Sequence, residues 1–471
     1  MEKYYLKFSK EEIKYIKVKN HIKNLIDKNK IEDGEKLPTI RVLSEFLNVN
    51  KITIINAYKK LKEEGYATQR MGSGTYAKKK DVDAIFKREY SKTLKQYISN
   101  EFKNFIDFTG EITESSFFPI KDLKEVLNEV LDRDGPNALI YQDVLGYEKL
   151  RKEINLNFWG GRLKENNILI VSGAQQGIDI ASKALINVND GVIIEKPTYS
   201  GALSVFKCRR ANVFEVSMES DGINLKEFER ILKKHKIKCF YAMSYFQNPT
   251  GISYSLEKKK RILELSLEYD FYIIEDDYLS ELIYCEDIKY KTFKELDKWN
   301  RVVYIKSFSK IFLPGIRIGY VIPPKKFIEA FQNCKVNTDI STSSLMQRAL
   351  ERYIHNGLWE NHISFLNKEY YIRYKHMKEC LEKYLGEFVS FNEPKGGLIF
   401  FLKINDDVNI NSKKLFYILR EKNILITPGI MFFKTPNCGD KYFRLSFSKA
   451  SILDIEEGIK NIRDIFLERI E

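Results

Sequence analysis

The chain has 471 residues, 44% hydrophobic and 30% charged; this excludes a disordered polymer and is too long for one ordinary core, so a small domain beside a large one is expected. Its net charge of +13 is uneven, because residues 1–80 hold 19 Lys and Arg against 10 Asp and Glu and leave +4 for the remainder; a basic head suits nucleic acid, although a solvated lysine-rich face has the same charge. Six scattered cysteines without a CxxC pair exclude a metal site or disulfide framework, and the lack of an apolar leader or an apolar run of about 18 residues predicts a cytoplasmic protein with no membrane span.

Tyr15, Val18, Ile22, Leu25 and Ile26 recur at helical spacing and predict a helix over about residues 11–29, followed by a turn at Asp33 and Gly34. Pro38 and Thr39 open a second short helix with Leu43, Phe46 and Leu47 on one face. Asn50 is a suitable N-cap for a third, in which Ile54, Ala57, Tyr58 and Leu61 take the buried positions and leave Lys51, Thr53 and Asn56 facing out. Gly65 stops it, and strands over residues 66–70 and 75–77 flank a Met71-Gly72-Ser73-Gly74 turn.

Three helices and a β-wing predict a winged helix-turn-helix. Lys51, Thr53 and Asn56 are then candidates for base edges in the major groove, with Arg41, Gly72 and Ser73 candidates for phosphates. The same fold also serves as a protein-interaction or RNA-docking module, so duplex DNA is one of three partners the head alone allows. The run LPTIRVLSEFLNVNKITIINAYKKLKEEGYATQRMGSGTYA resembles the head of GntR-type regulators, and that resemblance implies a double-stranded DNA operator. Domain boundaries are expected at residues 1–78 for this head, 79–104 for a charged linker and 105–471 for the large domain.

Beyond residue 105, NILIVSG, GVIIEKP, KCFYAMS, FYIIEDD and RVVYIKS are continuous apolar runs separated by helical patterns, which predicts an α/β fold with a mostly parallel sheet. Ligands in such folds bind at the C-terminal strand ends, and the polar motifs lie there. VSGAQQGID supplies Gly173, Ala174 and Gln175 before a helix; EKPTYSG supplies Tyr199; YFQNPTG supplies Asn248; IIEDDY supplies Asp276 and Tyr278. SFSKIFLPGIRIGY supplies Ser307, Ser309, Lys310 and Arg317, and YFRLSFS near the C-terminus supplies Arg444.

In this order and spacing the motifs resemble the fold type I aminotransferases over residues 105–471, a domain with a smaller C-terminal α+β subdomain. The resemblance implies pyridoxal phosphate as cofactor, with Lys310 forming the Schiff base and Asp276 holding the pyridine nitrogen protonated. The adjacent Asp277 is the alternative for that second role. It also implies that Asn248 and Tyr278 bond the phenolic oxygen, that Tyr199 stacks on the ring, and that Ser307, Ser309, Arg317 and the helix amides hold the phosphate. Arg444 would clamp a substrate or effector carboxylate, and Tyr141 would reach a phosphate across a dimer interface.

A GntR-type head fused to such a body resembles the MocR subfamily of regulators. This implies a head-to-tail homodimer that senses pyridoxal phosphate, alone or with an amino compound, and controls genes of vitamin B6 or amino-acid metabolism. Ser200 and Gly201 follow Tyr199 without the basic residue some amino-acid-sensing members carry, which favours the cofactor itself as signal. The competing expectation is a working aminotransferase, since every residue transamination requires is present.

Overall fold

The computed structural model describes residues 1–9, 12–28, 30–70, 72–78, 82–98, 105–110, 113–285 and 291–469. It divides into two compact units, Met1–Ser99 and Asn100–Glu471.

In the first unit, α1 (Lys14–Asp27), α2 (Ile40–Leu47) and α3 (Lys51–Glu63) precede a hairpin of β1 (Ala67–Arg70) and β2 (Gly74–Ala77). Each junction has a local cause. Thr39 caps α2 by accepting from the Val42 amide, Asn48 ends it in the left-handed conformation, and Asn50 caps α3 by accepting from the Ile52 amide at 2.9 Å. The α1 stripe of Val18, Ile22, Leu25 and Ile26 meets Leu43 and Leu47 of α2 and Ile54, Ala57, Tyr58 and Leu61 of α3. Tyr4, ahead of the expected first helix, is also buried in this core. Phe46 departs from expectation: it is exposed, and Leu43, Ser44 and Leu47 form the inner face of α2. The hairpin is antiparallel from Ala67 opposite Ala77 to Arg70 opposite Gly74, with Met71 outside the described residues.

A helix, α4 (Val82–Ile98), occupies most of the stretch expected to be a linker, and it buries Phe86, Tyr90 and Thr93. That i, i+4, i+7 stripe is enough to stabilise a helix in a segment that is otherwise charged. The ends of the expected linker, residues 79–81 and 99–104, lie outside the described residues.

The second unit begins with a short strand, β3 (Ile106–Asp107). Its main sheet contains β4 (Leu169–Val171), β5 (Gly191–Lys196), β6 (Asn212–Glu219), β7 (Gly222–Ile223), β8 (Ile237–Ala242), β9 (Tyr272–Asp277), β10 (Val302–Ser307) and β11 (Gly319–Ile322). The strand order is β4-β11-β10-β9-β8-β5-β6-β7, with β5, β6, β8, β9 and β10 parallel and β11 antiparallel to both of its neighbours. All five expected strands are present; β6, β7 and β11 are additional. The helix Ala174–Leu185 crosses this sheet at Gly177, where an added Cβ would come within 2.8 Å of Ile305.

A smaller antiparallel sheet follows, formed by β12 (Val389–Phe391), β13 (Ile399–Ile404), β15 (Thr427–Pro428) and β16 (Tyr442–Ser446) in the order β12-β13-β16-β15. Between β13 and β15, β14 (Ile424–Leu425) pairs in parallel with β3. The fold is thus a mostly parallel α/β sheet with a C-terminal α+β subdomain. Among the described residues no helix is long and apolar enough to cross a membrane.

Candidate functional site

The parallel strands all end on one side of the sheet, and the chain turns there bring distant motifs together. One cavity is lined by Ala174, Gln175, Tyr199, Met243, Asn248, Asp276, Tyr278, Ser307, Ser309, Lys310 and Arg317. Gly173 belongs to the same corner: its φ of +92° suits glycine, and a Cβ would stand 2.9 Å from the Arg317 guanidinium. Arg317, itself left-handed at φ +50°, is fixed by a 2.9 Å bond from Nη2 to the Ser172 carbonyl.

The first residues of the Ala174–Leu185 helix line this cavity together with Ser307, Ser309 and Arg317, a set that can hold an anion. Ser309 Oγ is buried and has no hydrogen-bond partner among the described residues. Asp276 also lines the cavity; its Oδ2 accepts a 2.6 Å bond from the Tyr241 hydroxyl while buried Oδ1 has no partner among the described residues. Burial pushes the Asp276 carboxyl up to about 6, with the Tyr241 bond pulling the other way. Lys310 lines the same cavity and is partly accessible. Its amine is lowered to about 8 by burial and then by Arg317, while Asp276 opposes both.

Strand alternation separates the two aspartates. Asp276 lines the cavity, whereas Asp277 points to the other side of β9 and accepts from Ser280, from Tyr304 at 2.6 Å and from Lys306 at 3.1 Å. Tyr278 donates to the Phe246 carbonyl at 2.9 Å, and Tyr199 donates to Gln175 Oε1 at 3.3 Å. Gly201 makes room for that second pair: a Cβ there would be 2.5 Å from both the Tyr199 ring and Gln175. Arg444 is buried just outside the cavity, bonded to Asn248 Oδ1 at 2.9 Å and to the Thr109 carbonyl at 2.7 Å. Tyr141 is not in the cavity and is 76% exposed. Sequence reasoning missed Tyr241 and Met243, which belong to the apolar run of β8 and the turn after it and carry no motif.

On the head, Lys51 and Asn56 are exposed on α3 and Thr53 is half-buried, turned further toward the core than expected. Arg41 is exposed and paired with Glu45 at 3.0 Å. Gly72 and Ser73 form the exposed wing turn, where Ser73 Oγ and Tyr76 OH are 2.5 Å apart. No group of three metal-ligating side chains is gathered among the described residues.

A helix-turn-helix unit and a large α/β unit holding lysine, carboxylate and an anion-binding helix end define a DNA-reader type of head with a cofactor-type body. Residues 110–462 match the aminotransferase class I and II family, and residues 14–77 match the gntR family of bacterial regulatory proteins. An uncharacterised aminotransferase of Saccharolobus solfataricus is 30% identical over 77% of this chain and 92% of its own. The uncharacterised HTH-type transcriptional regulator YdfD of Bacillus subtilis is 29% identical over 95% of both chains. The solved structure of a Pyrococcus horikoshii kynurenine aminotransferase, in complex with PMP, superposes with a TM-score of 0.75 at 30% identity, covering 83% of this chain and 98% of that one.

The chain belongs to the aminotransferase class I and II family, in the MocR-type architecture that joins this domain to a GntR helix-turn-helix head. Aminotransferases of this class depend on pyridoxal phosphate. The cavity suits that group: it offers an unpartnered Ser309 Oγ beside the helix start for the phosphate and an unpartnered Asp276 Oδ1 for a protonated ring nitrogen.

Proposed function

We propose that this chain is a cytoplasmic transcription regulator whose large domain binds pyridoxal phosphate and whose head reads duplex DNA, with the first event altering the second. The observation that carries this reading is the union, in one chain, of a basic winged helix-turn-helix and a cavity holding Lys310, Asp276 and a helix N-terminus. When bound, the cofactor supplies an electron sink.

The chain's own groups do the rest. Lys310, at about 8, has roughly a tenth of its amine uncharged at neutral pH and can attack an aldehyde. Asp276 offers Oδ1 to the ring nitrogen. Gly173, Ala174, Gln175, Ser307, Ser309 and Arg317 would hold the phosphate, Tyr199 would cover the ring, and Asn248 and, once its hydroxyl turns from the Phe246 carbonyl, Tyr278 would address its phenolic oxygen. Arg444 is the carboxylate anchor if an amino compound joins the cofactor. Arg41, Lys51, Thr53, Asn56, Gly72 and Ser73 contact the operator, in a head-to-tail homodimer to which Tyr141 contributes across the interface. Genes of vitamin B6 or amino-acid metabolism are the targets this reading favours.

The test is a titration of duplexes from the chain's own upstream and neighbouring intergenic DNA, with and without pyridoxal phosphate, beside Lys310→Ala. Cofactor-dependent specific binding that the variant loses is expected; equal operator affinity with and without cofactor overturns it. A second reading, a working aminotransferase, is favoured by Arg444 bonded to Asn248 beside the cavity. Turnover of about 1 per second or more with an amino donor and a 2-oxo acid, without specific DNA binding, would establish it instead.

A further inference from the structure

The outward face of α3 carries apolar side chains where a solvated helix carries polar ones. Ile54, Ala57, Tyr58 and Leu61 fill the core, and the opposite positions i, i+3, i+4 and i+7 are Ile52, Ile55, Asn56 and Lys59. Ile52 is 62% exposed and Ile55 45% exposed. Neither contributes to the head's core, and each leaves about half of its surface or more in water, which is unfavourable unless something covers it. The surrounding charge narrows what that is: Lys51 and Lys59 flank the pair, Asn56 adjoins Ile55, and the acidic residues of α3 and its cap, Glu63 and Glu64, lie at the far end. A small apolar centre flanked by basic residues on the outward face of a helix is complementary to a major groove, whose walls are phosphates and whose floor carries one apolar group, the thymine C5 methyl.

We infer that Ile52 and Ile55 are specificity-determining residues that select A·T pairs by covering thymine methyl groups, with Asn56 available to pair with an adenine edge on the same face. This deepens the reading of the head as a duplex-DNA reader and rests on it. Lys51 and Lys59 then act mainly on phosphates, and the half-site core under α3 is A·T-rich. The two isoleucines are one helical turn apart and thus reach neighbouring base pairs, so the preference extends over a short run of A·T pairs instead of one.

The experiment separates this inference from its premise. Full-length protein with pyridoxal phosphate selects duplexes from a random pool, and thymines in the enriched half-site are replaced one at a time by deoxyuridine, which removes only the methyl. Loss of about threefold to fivefold in affinity at one or two thymines is expected, the value of one methyl-sized apolar group. Ile52→Ala or Ile55→Ala is expected to bind the thymine duplex more weakly by a similar factor and to be indifferent to deoxyuridine at the matching position. Both sites are solvent-facing on a helix, so alanine leaves the core intact, and the deoxyuridine series needs no protein variant at all. Specific, salt-sensitive binding that ignores every thymine methyl overturns the inference and leaves DNA reading standing. Absence of salt-sensitive binding to any duplex overturns both, and points the apolar face toward a protein partner.

Discussion

Replacing Tyr241 by phenylalanine tests the electrostatics of the cavity through a single bond. The Tyr241 hydroxyl donates to Asp276 Oδ2 at 2.6 Å within the sheet, and Asp276 sits at about 6 because burial disfavours its charge more than this bond favours it. A hydrogen bond to a charged group contributes about 1.5–3 kcal/mol, and one pH unit corresponds to about 1.4 kcal/mol, so losing the hydroxyl raises the Asp276 pKa further by about 1 to 2 units. The sign for ligand binding follows. A protonated carboxyl cannot pair with a protonated ring nitrogen, so below its pKa the carboxyl must lose a proton on binding, and affinity falls up to about tenfold per unit as pH drops. Pyridoxamine phosphate has no aldehyde for Lys310 to attack, so its fluorescence titration from about pH 5 to 9 follows binding without condensation, and Lys310, itself near 8, titrates in both proteins alike. The break near pH 6 in the native chain should move to about 7 to 8 in Tyr241→Phe, with the two affinities converging at alkaline pH. The ligand's own phosphate titrates in this range for both proteins, so the difference between them is what counts. Coincident breaks would refute the assignment of Tyr241 as the residue that positions and acidifies Asp276.

Lys310 is lowered to about 8 by burial and by Arg317, so its condensation with pyridoxal phosphate should quicken as pH rises through 8 and level off above; a stopped-flow absorbance rate that is flat from about pH 6 to 9 would contradict this. Gly173→Ala places a Cβ 2.9 Å from Arg317 at a φ of +92° and ψ of 169°, a region that costs a side chain about 1–3 kcal/mol, so calorimetry should show pyridoxal phosphate affinity falling about tenfold or more. Leu61→Ala empties a fully buried position of the head and should cost it about 2–5 kcal/mol, lowering its thermal transition and weakening DNA binding while cofactor absorbance is unchanged.

The readable parts of this chain are those where one residue type has few alternatives. Asn50 before an apolar i, i+3, i+4, i+7 pattern can hardly be other than a helix start, and the five strands are runs of β-branched and aromatic residues between helical patterns. Apart from Met243, the cavity residues lay in short motifs at strand ends, so topology alone gathered them. What stayed hidden depends on direction in space. Asp276 and Asp277 are chemically identical, and only the pleat of β9 aims one into the cavity and the other at Lys306. Tyr241 is one aromatic among the apolar residues of β8, and its hydroxyl acquires a role only because β9 lies alongside. Phe46 misleads in the opposite sense, because apolar character places a residue in the core unless the helix phase is counted, and it projects outward. In α4 the stripe of Phe86, Tyr90 and Thr93 was masked by its charged neighbours.

If the cofactor alters operator binding, the operator must alter cofactor binding by the same factor, because both are one coupling free energy measured from two ends. This holds whatever the path between the units. A coupling of about 1–3 kcal/mol corresponds to a change of roughly 5- to 150-fold, large enough to read in either titration. Pyridoxal phosphate is therefore expected to dissociate from the operator-bound protein with a constant shifted by the factor found for DNA with and without cofactor, whichever sign that factor has. Lys310→Ala should shrink both shifts together, since the lysine contributes only through the shared ligand. Inequality of the two shifts would show that the DNA and cofactor measurements do not report on one equilibrium, and a cofactor constant untouched by saturating operator would reduce the head and the body to two independent proteins on one chain.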